Sequence, residues 1–400
     1  MSYRSWIVMN MTITSVLRVC AALGLFGVAC ATSVTAESTL YKAGTVYTMT
    51  GDPLSPGQVL VTDGKIAAVG GTVNAPAGVT VVDLGDDSCL LPGFIDAYTQ
   101  TGLSGGTDEF TAELTPDFCP ALAIDWNDRG FAEALAAGTT TLAICPGTEN
   151  VIAGCSCLAK TNGERESRIL QNDAALFISV CSDPARRNRA RARPDGLYNR
   201  LPTNRMGVVW ILRSTLDKLR RGRDIEARDD IESGFSGQRP LMAVARTSHD
   251  ITALLTIGEE FAFAPPIIVG GQETYKVTEQ VAAAGLPVIL GSLTTGSANG
   301  PERTELAYNQ AGLLSKAGIT FAFSGGNLLE QARFACRFGL EPGKALQAIT
   351  KTPAELIGVS DRVGTIAPGM DADLVVTDGD PLEFTTGIRF VMVNGQVFEQ

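Results

Sequence analysis

The chain between residues 37 and 91 consists of short apolar runs separated by turn residues. Val, Ile and Ala fill runs such as 59–62 and 66–69, and Asp63-Gly64 separates these two. β-branched runs of this length favour strands, and an Asp-Gly pair between two of them is typical of a tight hairpin. The pattern therefore predicts β-structure with at least one hairpin.

From about residue 128 the pattern changes to helices followed by buried strands. Three predicted helices end at Gly138, Gly285 and Gly318, and an apolar run follows each glycine. Glycine allows the positive φ of a helix C-cap, and fully apolar strands are typical of parallel sheets covered by helices. The predicted strands span residues 91–97, 140–145, 157–160, 175–180, 241–245, 267–270, 287–291 and 320–324. They match the eight strands of a (β/α)8 barrel, although the gaps around the third strand are short for crossover helices.

A second β segment ends the chain. The apolar runs 372–377 and 389–393 are followed by the turn pair Asn394-Gly395. Two β segments that flank one α/β body predict a small β domain built from both chain ends.

Residues 1–36 have the composition of a secretory leader. They contain no Asp or Glu, and an apolar run after Arg18 leads to Val34-Thr35-Ala36. This order predicts export to the periplasm or exterior with cleavage after Ala36, which N-terminal sequencing of protein from its host would check. Lipoprotein processing at Cys30 is less favoured because Gly27 suits that site poorly, and a buried N-terminal helix is the remaining alternative. The run is too short for a membrane span.

Composition narrows the classes of function. The 400 residues include 32 Lys+Arg and 43 Asp+Glu, giving a net charge of −11. This balance predicts no nucleic-acid partner, because such a partner requires a clustered basic face. His249 is the single histidine, which excludes mechanisms that need two imidazoles. The nine cysteines form no zinc-site spacing, so most are interpreted as small buried apolar residues, although export would permit disulfides.

Segments near both ends resemble the motifs of one family. Residues 61–70 and 91–97 read VTDGKIAAVG and LPGFIDA, and residues 364–376 read GTIAPGMDADLVV. These segments are similar to the entry and exit motifs of the amidohydrolase superfamily, with most likeness to imidazolonepropionase-like members. The resemblance implies a TIM (β/α)8 barrel over residues 92–361 and a β-sandwich built from residues 37–91 and 362–400. It also implies metal-assisted hydrolysis of C–N bonds other than peptide bonds.

The family's metal ligands stand at the carboxyl ends of the barrel strands, and this chain departs from that set. A His-x-His pair, a fifth-strand ligand, a sixth-strand histidine and a last-strand aspartate are implied. Those positions hold Tyr98, Gln100, Ala245 or Arg246, Gly270 and Gly326. Phenol and amide groups are poor zinc ligands, and glycine offers no side chain. We therefore expect no metal and no cofactor here, although zinc is implied by the resemblance.

Few residues remain as candidates for catalysis. Lys160 resembles a mid-barrel lysine that is carboxylated in some relatives, and without metals we interpret it as a free or ion-paired lysine. Asp96 resembles the aspartate that precedes the ligand pair, and we expect a structural role for it. The sequence thus offers only Lys160, Tyr98 and Gln100 as catalytic candidates.

An arginine-rich segment follows the fourth predicted strand. Arg187, Arg189 and Arg191 belong to seven arginines between residues 186 and 205. Arginine forks bind carboxylates and phosphates, and loops after barrel strands lie on the ligand side. These three and Arg246 are predicted to bind a small anionic ligand. The alternative is pairing with the protein's own acids, or a contact between subunits.

Two classes of function follow. The first is an exported amidohydrolase-like enzyme acting on non-peptide C–N bonds, whose metal site is degenerate. The second is a catalytically silent barrel that binds a small anionic ligand or partners an active relative. A small-molecule ligand, a homo-oligomer and a complex with an active relative are the partners left open.

Overall fold

The computed structural model describes residues 38–186, 201–293 and 307–399. The predicted leader and the predicted ligand-binding residues Arg187, Arg189 and Arg191 lie outside these ranges. The strands are β1 Ser38–Ala43, β2 Thr45–Val46, β3 Gly57–Thr62, β4 Lys65–Gly70, β5 Thr80–Asp83, β6 Cys89–Pro92, β7 Phe94–Thr99, β8 Thr139–Ile144, β9 Ile152–Cys155, β10 Cys157–Lys160, β11 Ile169–Gln171, β12 Leu176–Ser179, β13 Leu241–Ala245, β14 Ile267–Gly270, β15 Val288–Leu290, β16 Phe321–Phe323, β17 Leu374–Thr377, β18 Ile388–Val393 and β19 Gln396–Glu399.

Ten α-helices lie within the described ranges, and most of them connect strands of the α/β body. They are α1 Arg129–Ala136, α2 Arg165–Arg168, α3 Arg205–Arg220, α4 Arg228–Phe235, α5 Ser248–Phe261, α6 Thr278–Ala283, α7 Gln310–Lys316, α8 Leu328–Arg337, α9 Pro342–Gln347 and α10 Lys351–Ile357. In the part of the chain that the structure describes, no helix has the length and apolar character needed to cross a bilayer.

Strands from both chain ends pair in one sheet, as their apolar runs predict. β17 pairs antiparallel with β6, with Val375 opposite Leu91, in a sheet ordered β19-β18-β17-β6-β2. A second sheet, ordered β4-β3-β1-β5, shares an apolar core with the first, in which Val59 and Ile66 pack with Leu374. The domain boundaries at residues 91 and 362 stay predictions.

The two predicted turn pairs close hairpins and touch each other. Asp63 and Gly64 join β3 to β4 at positive φ, and Asn394 and Gly395 join β18 to β19 in the same way. A Cβ atom on Gly64 would lie 2.6 Å from the Asn394 carbonyl oxygen. Glycine is therefore required at residue 64 both by the turn and by the close approach of the two ends.

The α/β body contains the predicted parallel strands. β7 pairs parallel with β8, and β12 to β16 form a parallel series in chain order. The helices that precede β8 and β16 end at Gly138 and Gly318, which have positive φ as predicted. Alternate residues of the strands enter two apolar clusters, so both faces of this sheet are buried. One cluster lies under the helices, and the other, which we call the inner core, contains Val244 and Val269.

The third predicted barrel strand is present, but the prediction that it runs parallel to its neighbours is wrong. β10 runs antiparallel to β8, and β9, separated from it by Ser156 alone, runs antiparallel to β12. An apolar run indicates burial but not direction, which explains the error. The short gaps around this segment leave no room for the crossover that a parallel strand requires.

The strands of the α/β body lie in two sheets, ordered β11-β10-β8-β7 and β16-β15-β14-β13-β12-β9. The described residues show no ladder between β16 and β7. The link after α9 bridges this seam, because Ala348 accepts a hydrogen bond from the Phe323 N–H (3.0 Å) and Ile349 accepts one from the Ile95 N–H (2.9 Å). The α/β architecture is thus observed, but the predicted closed barrel is not present as a continuous set of ladders.

Candidate functional site

The candidate site lies at the carboxyl ends of the parallel strands, on the inner face. Cys145 and Cys181 follow β8 and β12 and belong to the inner core, and Tyr98 near the end of β7 packs against it. Arg246 directly follows β13, two residues after the inward-facing Val244. Because side chains alternate along a strand, this spacing directs Arg246 to the same face.

An ion pair between Arg246 and Asp183 occupies this region. The Arg246 Nη1 atom lies 2.5 Å from Asp183 Oδ2 and 3.8 Å from the Cys181 sulfur. The Thr148 hydroxyl donates a 2.6 Å hydrogen bond to the same carboxylate. Burial alone would raise the pKa of Asp183, but attraction to Arg246 and the Thr148 hydrogen bond lower it overall. The pair is therefore fully charged at neutral pH, while the Arg246 side chain stays 27% exposed.

Tyr98 and Gln100, the predicted catalytic candidates on β7, present neutral groups. The Tyr98 ring packs against Phe177 at 6.0 Å between centroids, and burial raises the pKa of its phenol above the usual value. Gln100 is exposed, and its amide donates a long 3.5 Å hydrogen bond to the Pro146 carbonyl. Neither residue is poised to act as a base at neutral pH.

Gly270 and Gly326 differ in the space that surrounds them. A Cβ atom on Gly270 would lie 3.2 Å from Cγ of Arg246, so the Arg246 stem fills the volume that a side chain at residue 270 would need. Nothing lies within 4 Å of the Cβ position of Gly326. The Arg246 stem therefore lies beside Gly270, a position that the resemblance aligns with a metal ligand of the family.

This set of donors does not fit a divalent metal. A phenol, an exposed amide and two glycines supply no imidazole or carboxylate, and the Arg246 cation stands among them. In the described ranges, the only group of three metal-ligating side chains is Cys119, Cys155 and Asp173. That group lies beside the start of β12, where Leu176 pairs with Cys155, and its two cysteines form a disulfide with a Cα–Cα distance of 4.9 Å.

Lys160, one of the predicted catalytic candidates, lies away from the candidate site. It ends β10 opposite Thr141, which itself pairs with Ile95 at the start of β7. Tyr98 is three residues further along β7, or about 10 Å at the rise of a strand. The antiparallel direction of β10 thus carries Lys160 to the amino ends of the parallel strands. There it is fully buried and ion-paired with Asp371 and Asp373.

Comparisons with known proteins show which proteins this chain resembles. The family model described as "Amidohydrolase family" matches residues 273–398. The crystal structure of an amidohydrolase from Thermotoga maritima is similar over 90% of this chain and 100% of its own, with a TM-score of 0.80 and 28% identity. These likenesses are to members of the amidohydrolase superfamily, and they support the resemblance of the two end motifs to that superfamily.

Curated superfamily relatives cover most of the chain but are longer proteins. Amidohydrolase tasK of Hapsidospora irregularis is 26% identical over an alignment of 379 positions that covers 82% of this chain and 38% of the relative. Adenine deaminase of Ligilactobacillus salivarius is 25% identical over an alignment of 340 positions that covers 80% of this chain and 51% of the relative. The chain therefore matches about half or less of these relatives' length.

The superfamily's entry motif contributes Asp96, which holds two strand ends together. Its carboxylate accepts 3.1 Å hydrogen bonds from the N–H groups of Tyr98 and Gly325, so it joins β7 to the loop after β16. Burial raises the pKa of Asp96 to about 7 in spite of these two hydrogen bonds. The expected structural role of Asp96 agrees with this position at the seam between the two sheets.

We expect Asp96 to make stability depend on pH near neutrality. An unfolded aspartate loses its proton near pH 4, whereas buried Asp96 keeps it to about pH 7. Its contribution to stability is therefore fully present below pH 4 and lost as pH rises through 7. Between pH 5 and 8, this effect should lower the free energy of unfolding of the wild type by on the order of 2–4 kcal/mol, and Asp96→Asn should abolish that decrease. Urea unfolding at both pH values measures it, with the exposed Glu133→Gln as control. Equal slopes for wild type and Asp96→Asn would contradict this prediction.

Sequence reasoning missed Asp183, although its position right after the predicted fourth strand was a usable signal. Arg186, the described member of the arginine-rich segment nearest to it, lies 3.4 Å from Asp183. The His249 side chain is exposed in the first turn of α5, two residues after the capping residue Thr247. The structure thus brings Arg246 and Tyr98 together and separates both from Lys160.

Proposed function

We propose that this superfamily member binds a small anionic ligand through Arg246 at the carboxyl ends of its parallel strands, without the metal-activated water of the implied hydrolysis. The observation that carries the proposal is the Arg246 guanidinium itself. It uses Nη1 for Asp183 and remains partly exposed to solvent at the ligand side of the strands.

The geometry leaves part of the guanidinium available to a ligand. No hydrogen bond joins Nε or Nη2 of Arg246 to a residue in the described ranges, whereas Nη1 contacts both Asp183 and Cys181. A guanidinium carries five N–H donors in a fixed fork, so one edge can contact Asp183 while another donates hydrogen bonds to the carboxylate of a ligand. The Asp183 contact then orients the fork and keeps it charged.

Hydrolysis of a non-peptide C–N bond is the second candidate. Superfamily membership favours it, and the relatives are named an amidohydrolase and an adenine deaminase. The donor set argues against the usual route, because without a metal a bound water keeps its high pKa and no nucleophile forms at neutral pH. Binding is therefore the better-supported proposal, and a degenerate metal site is part of it.

Three further parts of the proposal concern the whole protein. We propose that the two sheets of the α/β body form a barrel-like ring joined at the Ala348–Ile349 link, which its hydrogen bonds to β16 and β7 support. The acid-free apolar leader supports export to the periplasm or exterior. We also propose assembly as a homo-oligomer or with an active relative. A measurement of the native molecular mass would detect either assembly.

Titration with acetate, succinate and phosphate tests the binding proposal. The double variant Arg246→Gln/Asp183→Asn removes both charges, so no buried carboxylate is left unpaired. We expect its affinity for the best of these anions to fall about 10- to 100-fold, because hydrogen bonds to charged groups are among the stronger ones. Isothermal titration calorimetry provides the measurement.

The control for this titration is Arg213→Gln. Arg213 is exposed and pairs with Glu260 at 2.6 Å on the helical surface, so its removal changes the net charge but not the site. Its affinity should equal that of the wild type. If the Arg246→Gln/Asp183→Asn variant binds as tightly as the wild type, the anion does not bind at Arg246 and the proposal is wrong.

A further inference from the structure

Gln272, just after β14, has a buried oxygen that lacks a hydrogen-bond partner. Its Oε1 atom is shielded from solvent and accepts no hydrogen bond from any residue in the described ranges. Buried polar side-chain atoms in folded proteins are nearly always hydrogen-bonded to protein or to ordered water. An amide oxygen without a protein partner beside a candidate binding site is therefore available to a donor that arrives with a ligand.

Two glycines at the strand ends make room for this amide. A Cβ atom on Gly291, after β15, would lie 3.1 Å from Gln272 Nε2, and one on Gly270 would lie 3.2 Å from Gln272 Oε1. The same Cβ position on Gly270 is 3.2 Å from Cγ of Arg246. The Gln272 oxygen and the Arg246 stem thus lie next to each other, beside the same Cβ position of Gly270.

We propose that Gln272 determines specificity at this site by accepting a hydrogen bond from a donor group that lies next to the ligand's carboxylate. This inference rests on the proposed binding of an anion by Arg246. The ligand class is then a small carboxylate with an N–H or O–H group a few bonds away, such as an N-acylated amino acid or a hydroxy acid.

Arg246 and Gln272 have different roles in recognising the ligand. Arg246 holds the carboxylate through its charged fork, which any small carboxylate can use. Gln272 discriminates, because a ligand that cannot donate leaves the amide oxygen buried and unpaired in the complex as well. Sites that pair a ligand's hydrogen-bonding group reject analogues lacking it more strongly than purely apolar sites do.

Matched pairs of probes test this division by calorimetry. N-acetylglycine carries an N–H that N-acetylsarcosine replaces with a methyl group, and lactate carries an O–H that 2-methoxypropionate lacks. We expect the wild type to bind the donor member of at least one pair about tenfold more tightly. The pair that shows the preference identifies the donor as N–H or O–H.

The variant Gln272→Met keeps the length of the side chain but removes the acceptor, so it should lose this preference. Gln272→Glu keeps an acceptor oxygen and should retain the preference even if its affinity for anions falls. Gln280→Met, on the exposed face of α6, is the matched control and should behave as the wild type.

The outcomes separate this inference from the binding proposal. If acetate and succinate bind in an Arg246-dependent way but neither pair is discriminated, the role of Gln272 is wrong and anion binding stands. A preference that survives in Gln272→Met would arise from the bulk of the added methyl group and would also overturn the role of Gln272. If neither these anions nor any of the four paired probes bind, both proposals fail.

Discussion

Replacing Lys160 by Met should destabilise the protein by about 3–5 kcal/mol, the usual cost of breaking a buried ion pair from one side. The Lys160 side chain is completely buried, and its ammonium lies 3.1 Å from Asp371 Oδ2 and in closer contact with Asp373. Asp371 keeps two other cations, Lys65 and Arg362, after the substitution. Among the described residues, Asp373 keeps only the 2.9 Å hydrogen bond from the Asn394 N–H, so most of the loss arises there.

Lys65→Met is a matched control because Lys65 contacts the same Asp371 carboxylate at 2.5 Å. Its side chain is 51% exposed, so water replaces the lost contact and the cost should stay below about 1 kcal/mol. Adding Asp373→Asn to Lys160→Met removes the unpaired charge and should restore part of the stability. Urea unfolding at pH 7.5 measures all three variants. Equal losses for Lys160→Met and Lys65→Met would show that burial of the Lys160 ion pair does not determine its contribution.

We expect the purified protein to hold no stoichiometric zinc or other transition metal at the strand ends. A catalytic zinc needs about three protein ligands, and Tyr98, Gln100 and Gly326 offer none that zinc favours. The double variant Tyr98→His/Gln100→His should also remain free of metal. A third histidine at residue 270 would meet the Arg246 stem, and residue 326 would still supply no ligand.

Elemental analysis after dialysis measures this, and it should include the variant Cys119→Ser. The Cys119, Cys155 and Asp173 group can collect zinc when its disulfide is reduced, and the variant removes that source of signal. One zinc per chain that persists in Cys119→Ser, together with chelator-sensitive hydrolysis of an amide, would show that the metal positions are assigned wrongly. The protein would then hydrolyse by the superfamily's metal-dependent route.

The sequence predicted local features of the fold because short-range chemistry determines them. Asp63-Gly64 and Asn394-Gly395 form hairpin turns because few other residue pairs tolerate positive φ at both positions. Glycine ends the helices before parallel strands for the same reason. The superfamily was recognised from its two end motifs, which depend on residue identity and not on distant contacts.

The direction of a strand could not be predicted in the same way. Residues 157–160 form an apolar strand, as predicted, but β10 runs antiparallel to its neighbour β8. That direction depends on the connections before and after the strand, which apolar periodicity does not encode. The separation of Lys160 from the candidate site follows from this direction, whereas its candidacy was inferred from the resemblance to a mid-barrel lysine of the superfamily.

By itself, the sequence determined that several imidazoles cannot meet at one site, because the chain has a single histidine. It also determined the α/β class and the β segments at both ends, through hydrophobic spacing and turn residues. Only the tertiary structure showed that Asp183 pairs with Arg246, that Asp96 joins β7 to the loop after β16, and that the Gln272 oxygen has no hydrogen-bond partner among the described residues. These groups are distant in sequence, so their contacts depend on how the strands assemble, which no local pattern specifies.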